Sequence, residues 1–437
     1  MGGTPQHPEP IFERLPHGPS GLAREEVARN QRIRMYGAMI ESVHQRGYRS
    51  TTVAHVIALA GVSRRAFYEQ FSNKEDCFLA THDIVVARAR KQMVDAWEAR
   101  SGFNNRVRGA CAALLENIAR FPKGPRLVLV DSLGIGPRGR DRMLQSGMGF
   151  ELIVGQVLER APDGAPLQPL LLRGLVGGIR HVAFLHMLEG RESELASLGD
   201  QLVELLGALR SPLTAGLGWV AVGEPGPAPA SRAAFLQGSD ARKRSLAAIA
   251  TLTLRHGYAG LTDAQIASVA GMSTEAFHRQ FAGREQCFLA LVDELIAEAV
   301  RTSAAASERC PDWSAGVRAG MAAFVGHLVA NQALSRLAFV ELFEVGPAAV
   351  GHVGAMAQAL TSLLCRGAPP PRHGPKLARQ AIAGGLSAIL CTHIADRRML
   401  RLPGLVDQLS FLVLAPHLGA GGAVEAIGAA RAHRSAA

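Results

Sequence analysis

The chain has 437 residues, a formal charge of +10, an isoelectric point near 9.8 and few aromatic side chains. The length suggests roughly two to four domains with sizeable cores, and the basic balance suits an acidic polymer as partner without deciding it. Six cysteines (Cys77, Cys111, Cys287, Cys310, Cys365, Cys391) show no CxxC and no Cys/His metal spacing, no charged-then-apolar segment opens the chain, and no apolar run reads as long enough to span a bilayer. A disulfide scaffold, a metal centre, a cofactor enzyme and a membrane protein are therefore set aside in favour of a soluble, cytoplasmic, helical protein.

Residues 1–21, with five prolines, read as a mostly disordered tail, and Arg14, His17 and Arg24 make either a basic arm reaching DNA or a solvated surface. From 25 to 46 the apolar residues Ile33, Tyr36, Ile40 and Val43 recur at three and four positions, the helical spacing, and Gly47 closes the segment. Thr52 suits a helix N-cap, with Val53, Val56 and Ile57 on one face. Gly61 stands where a chain leaving that helix needs positive φ. Ser63 can cap a second helix, and Phe67 and Phe71, four apart, share its inward face. Arg64, Arg65 and Tyr68 are left on the outward, N-terminal part. In a helix-turn-helix this is the part that meets base edges in the major groove. Asn73 then caps a long helix to about residue 100. Lys74 sits badly at its positive end, which costs a few tenths of a kcal/mol. A phosphate contact explains Lys74, and so does an arbitrary surface choice.

The run Ala60-Gly61-Val62-Ser63, the pair Phe67-Tyr68, Phe71 and Lys74-Glu75 resemble the TetR family of bacterial regulators. The resemblance implies a three-helix DNA-binding domain followed by a larger helical domain. That second domain holds a small-molecule pocket and, through its last two helices, a dimer interface.

Further helices are expected at 104–120, 123–134, 139–160, 167–190 and 193–210. The stretch 134–139, Gly-Ile-Gly-Pro-Arg-Gly, formally matches a dinucleotide fingerprint. Pro137 in the turn and the lack of repeated βαβ units argue instead for a helix end. Residues 211–231, rich in Pro, Gly and Ala, read as a linker. The motif then returns at 261–281, displaced by 210 residues without a gap. Between 31–80 and 241–290 nineteen of fifty positions are identical. They include Arg34 with Arg244, Tyr48 with Tyr258, Ser63 with Ser273 and Cys77 with Cys287. Fainter matches continue, among them Gly177-Gly178 with Gly384-Gly385 after a three-residue deletion. The period is too long for a solenoid, so the chain reads as two whole protomers.

The expected architecture is all-α: two tandem TetR-like units packed as an intramolecular pseudo-dimer, with room for a higher oligomer. Its parts are a tail (1–21), a first helix-turn-helix domain (22–72), a first regulatory domain (73–210), the linker (211–231), a second helix-turn-helix domain (232–282), a second regulatory domain (283–421) and a loose Ala/Gly tail (422–437). Helices 167–190 and 193–210 would face 376–398 and 402–415, with the paired glycines at a close approach or at a kink.

The expected partners are a double-stranded DNA operator and an unidentified small effector, with no cofactor, metal or membrane. Thr51, Thr52, Ser63, Arg64, Arg65, Tyr68 and Lys74 are the DNA candidates in the first unit. Thr262, Ser273, Thr274, Glu275, His278 and Arg284 are their counterparts in the second. Pocket candidates are Trp97, Met143, Phe150 and Phe184 in one half and Phe324, Phe339 and Phe343 in the other. The expected function is a sequence-specific transcription regulator, a repressor under effector control, and not an enzyme. The rivals are a helical ligand-binding protein that has lost DNA binding and, more weakly, a helical enzyme on a borrowed fold. His181, His186 and His393, each alone on an apolar helix, read as core or interface histidines rather than ligands.

Overall fold

A computed structural model describes residues 24–160, 167–209, 236–346, 348–371 and 374–436. The N-terminal tail, the linker 211–231 and Pro347 lie outside the described residues. Among those described there is no strand.

The first half begins with α1 (Arg24–Ser50), α2 (Val53–Ala60) and α3 (Arg64–Tyr68). Gly47 interrupts α1 at φ 72°, and Gly61 ends α2 at φ 61° in the left-handed region. The three helices close over Met35, Met39, Val56, Phe67, Phe71 and Phe78. Burying each of these side chains is worth about 1.5–3 kcal/mol. The regulatory part comprises α4 (Lys74–Glu98), α5 (Phe103–Arg120), α6 (Lys123–Leu129), α7 (Pro137–Glu159), α8 (Pro169–Leu188) and α9 (Gly199–Leu209). Residues 123–129 are helical, and Gly136, at φ 93°, precedes α7. The glycine-rich stretch is thus a helix start, not a phosphate loop after a strand.

The second half repeats the order with α10 (Ala241–His256), α11 (Asp263–Val269), α12 (Thr274–His278), α13 (Arg284–Ser307), α14 (Trp313–Ala330), α15 (Gln332–Phe339), α16 (Ala349–Leu364), α17 (Pro375–Ala395) and α18 (Val406–Ala436). Leu246, Ile249, Ile266, Phe277, Phe281 and Phe288 fill the core of its three-helix head.

The halves meet chiefly where α8 crosses α17, and α9 packs on α18 beside that crossing. Small residues permit the approach. A methyl group on Gly178 would stand 2.6 Å from the Ala381 carbonyl oxygen, and one on Gly385 2.7 Å from that of Gly174. On Gly384 it would meet the Cβ of His181 at 2.2 Å. These glycines, costly inside a helix by about 1 kcal/mol each, let two backbones touch. Two hydrogen bonds tie the head and shoulder of the first half to the second: Arg49 Nη2 donates to the Val345 carbonyl at 2.7 Å, and Arg140 Nη1 to that of Val340 at 3.3 Å.

Three expectations need correction. Residues 193–210 and 402–415 are not single helices. Each starts as a 3-10 segment, Glu192–Leu198 or Met399–Leu405, before turning α-helical. Residues 422–436 are no loose tail. After a break at Gly419 (φ 76°) they form a second helical stretch that buries Ala423 and Ile427, four apart. Arg431 on this stretch donates to Asp407 at 2.6 Å, and Arg318 reaches the same buried carboxylate at 2.7 Å. Finally, two helices, Pro169–Leu188 and Met399–Ala432, are long and apolar enough to cross a membrane. Fourteen residues of the first are buried within the protein, which accounts for its apolarity.

His181 lies buried at the crossing, stacked on Phe184 at 5.9 Å. Burial, and then the Arg180 cation, push it down to about 4. An unfolded imidazole takes its proton near ~6.5, so stability from this site is full above that pH and lost as pH falls toward 4. Urea unfolding at about pH 7 and pH 4.5 should show an acid loss that shrinks in His181→Phe. An equal loss in both proteins would refute this origin.

Candidate nucleic-acid interface

The turn between α2 and α3 is built from its caps. The Thr52 hydroxyl accepts from the His55 amide, and the His55 ring accepts from the Thr52 amide, closing a capping box. Ser63 Oγ accepts from the Ala66 amide at 3.1 Å and starts α3. Arg34 Nη1 donates to the Ala60 carbonyl at 3.0 Å and pins α1 to the turn. The second unit is made alike. Thr262 and Gln265 form its capping box, Ser273 Oγ accepts from the Ala276 amide at 3.1 Å, and Arg244 Nε donates to the Ala270 carbonyl at 2.9 Å. The Arg34/Arg244 clamp was not singled out from sequence. Its signal was the identity of the two arginines across the repeat.

The exposed faces of the two units differ. On α3, Arg64 rests over the Tyr68 ring at 5.6 Å and Arg65 Nε pairs with Glu69 at 2.9 Å. All three outward residues are solvent-facing, and the Arg65 side chain is 86% exposed. On α12, Thr274 and Glu275 occupy the corresponding places. Glu275 lies 3.4 Å from Arg279, and His278 Nε2 is held 2.8 Å from Asp263 Oδ2. One unit therefore presents two cations and a phenol. The other presents a hydroxyl, an anion and an imidazole fastened to a carboxylate.

Several expected phosphate contacts point inward instead. Thr51 is buried and donates to the Gly47 carbonyl at 2.9 Å. Lys74 Nζ donates to the carbonyls of Tyr48 and Thr51 at 2.9 and 2.8 Å and sits 4.1 Å from the Tyr48 ring centroid, with burial lowering its pKa. Arg284 repeats this, donating to the carbonyls of Ala259 and Leu261 and stacking over Tyr258 at 5.1 Å. The cation at a helix N-terminus is thus a strut between the head and the long connecting helix. Its compensation comes from carbonyl oxygens and a ring face. Thr52, Ser63, Thr262 and Ser273 stay at the exposed helix starts, but their hydroxyls are used as caps.

Residues 38–81 and 246–291 each match the family of bacterial regulatory proteins, tetR family. Both heads of this chain belong to the TetR family. Each is the DNA-binding helix-turn-helix domain of a transcription regulator. Among solved structures, the chain is similar to the fatty acid degradation regulator FadR from Bacillus halodurans, with 14% identity over 40% of this chain and 94% of that one, at a TM-score of 0.37. It is also similar to FadR from Bacillus subtilis in complex with stearoyl-CoA, with 16% identity over 40% and 96%, at 0.37. A TetR-like regulator from Rhodococcus sp. RHA1 gives 19% identity over 42% and 96%, at 0.33. No curated protein matches the chain.

Behind the first TetR-family head lies a cavity of about 340 Å3, walled by α4 to α9 and overwhelmingly apolar. Of the pocket candidates, Trp97 and Phe150 line it. Met143 and Phe184 do not. They border a smaller space of about 60 Å3 between the halves, together with Phe339 and Phe343. Phe324 is buried in the core of the second half. There α13 and α14 are drawn together, since Ser303 Oγ donates to the Gly320 carbonyl at 2.9 Å and Ser307 Oγ to that of Gly316 at 2.8 Å. Ser303 and Ser307 stand 210 positions after Met93 and Trp97. Where the first half has two large cavity-lining residues, the second has two serines bonded to the neighbouring helix. The helix α7, which lines the cavity from Ser146 on, begins with Arg138 paired to Glu75 at 2.7 Å, at the start of α4 where the head ends.

Proposed function

We propose that the chain is a cytoplasmic, sequence-specific repressor, not an enzyme, in which one polypeptide supplies both halves of a DNA-reading pseudo-dimer. It would be released from DNA by a small molecule taken up in the first-half cavity. The observation that carries the reading is the pair of like frames with unlike faces. The caps, the arginine clamps and the inward cations recur, while the outward residues change from Arg64, Arg65 and Tyr68 to Thr274, Glu275 and His278.

A homodimer reads an inverted repeat because its halves are identical. A fused chain has no such constraint. Arg64 and Arg65 suit guanine edges. Glu275 is repelled by phosphate unless it accepts from a cytosine amino group. The operator is therefore expected to be non-palindromic, with the stronger half-site under residues 63–68. If the two heads span one helical turn, they stand about 34–36 Å apart on DNA.

Support also comes from the cavity wall, because α7 joins the ligand space to the start of α4 through Arg138 and Glu75. A molecule that shifts α7 would shift the head. Titrating a bound duplex with the full chain at several salt concentrations tests DNA binding. One chain per duplex and affinity falling steeply with salt, the mark of counterion release, are expected. Salt-independent or undetectable binding would favour the rival, a ligand-binding protein that has lost DNA binding.

A further inference from the structure

We infer that the first-half cavity takes an apolar molecule carrying a single acidic head, and that Arg180 receives that head at the inner end. The inference rests on the proposed reading of this cavity as the effector site and adds the ligand's chemical class.

Arg180 comes from α8 and lines both the large cavity and the small space against α17. Its side chain is half-buried, and among the described residues it makes no hydrogen bond and no ion pair. Cys391 and the Glu151 carboxylate act on it electrostatically, and that carboxylate is already held by Arg173 through Nε at 3.2 Å and Nη2 at 3.1 Å. Enclosure lowers the pKa of Arg180, but an arginine stays charged in proteins. A charge drawn partly out of water favours an anionic partner, and Arg180 lines the cavity next to Gly147, where an added Cβ would stand 3.3 Å from Nη1.

The other cavity-lining charges, Glu98 and Arg160, are on exposed residues. The space between is walled by groups such as Met93, Trp97, Leu115, Phe150 and Val157. An amphiphile entering acid-first satisfies both ends. A volume of 340 Å3 lies at the lower end of the roughly 300–1,000 Å3 usual for small-molecule pockets. The second half does not repeat the feature. With the three-residue deletion, Arg180 corresponds to Ser387, so only one site of this kind is expected per chain.

Calorimetric titration of the full chain with decanoate, decyl phosphate, decanol and decylamine tests the inference. Decanoate or decyl phosphate should bind about tenfold to hundredfold tighter than decanol, the worth of a charge-assisted pair. Which of the two binds tighter tells a carboxylate from a phosphate head. Decylamine should bind weakest. Arg180→Met should erase the preference for the acids, and Arg180→Lys should keep most of it. The wild-type series needs no variant to fold. Equal affinity for decanoate, decyl phosphate and decanol, undetectable binding of all four, or a preference unchanged in Arg180→Met would overturn the inference. DNA release is read separately. Acid-selective binding that leaves operator affinity unchanged supports the Arg180 site and sinks effector control instead.

Discussion

Gly384→Leu should unfold or split the protein at moderate denaturant, with a stability loss above the ~1–3 kcal/mol usual for overpacking. The reason lies in what a side chain at that position meets. A Cβ there would be 2.2 Å from the Cβ of His181 and 2.7 Å from the carbonyl oxygen of Gly177. Neither atom is the end of a flexible chain, so α8 and α17 must part. The loss should reach DNA binding as well, because the heads are held relative to one another through this crossing and through Arg49 and Arg140. Gly326→Ala is the control. Gly326 lies inside α14 with nothing within 4 Å of an added Cβ, so alanine should stabilise by about 0.5–1 kcal/mol. Paired urea melts decide. Equal midpoints for Gly384→Leu and wild type would mean that the crossing carries no load.

The second large effect is expected at the first recognition helix. Arg64→Ala and Arg65→Ala should each cost about 1–3 kcal/mol of discrimination at the bases they contact. The double variant should retain mainly non-specific, salt-sensitive binding. Glu275→Ala should change affinity far less. Lys74→Ala should behave differently from all of these. Because Lys74 is bonded to the carbonyls of Tyr48 and Thr51, its loss should lower the thermal midpoint rather than weaken all DNA sequences alike. Competition binding and melting curves on the same five variants separate the cases. Unchanged specificity in the arginine double variant would refute the base-contact assignment.

What the sequence disclosed, and what it hid, follows from how local each feature is. The helix-turn-helix was legible because caps, the left-handed glycine and the Phe67/Phe71 spacing are set by neighbours within a few residues. The duplication was legible because those local requirements recur 210 residues later. The direction of Lys74 is not local: it depends on where the end of α1 lies after folding. A trace was present all the same, in a cation at 74 and 284 matched by a tyrosine at 48 and 258, the ring each cation stacks on. The C-terminal helix was hidden by its Ala/Gly composition, although Ala423, Ile427 and Arg431 keep a spacing of four. Met143 and Phe184 were assigned to a pocket on size alone. Sequence cannot tell a cavity wall from an interface when both are apolar. Arg180 escaped notice because a single arginine on an apolar helix has no pattern.

The central claim is that one chain reads DNA with two unlike heads. Selecting bound sequences from a random duplex pool with the full protein tests it most directly. The account predicts one bipartite, non-palindromic site, whose half under residues 63–68 carries the greater information and degenerates when Arg64 and Arg65 are replaced. Enrichment of a symmetric inverted repeat, with both halves equally constrained, would contradict it.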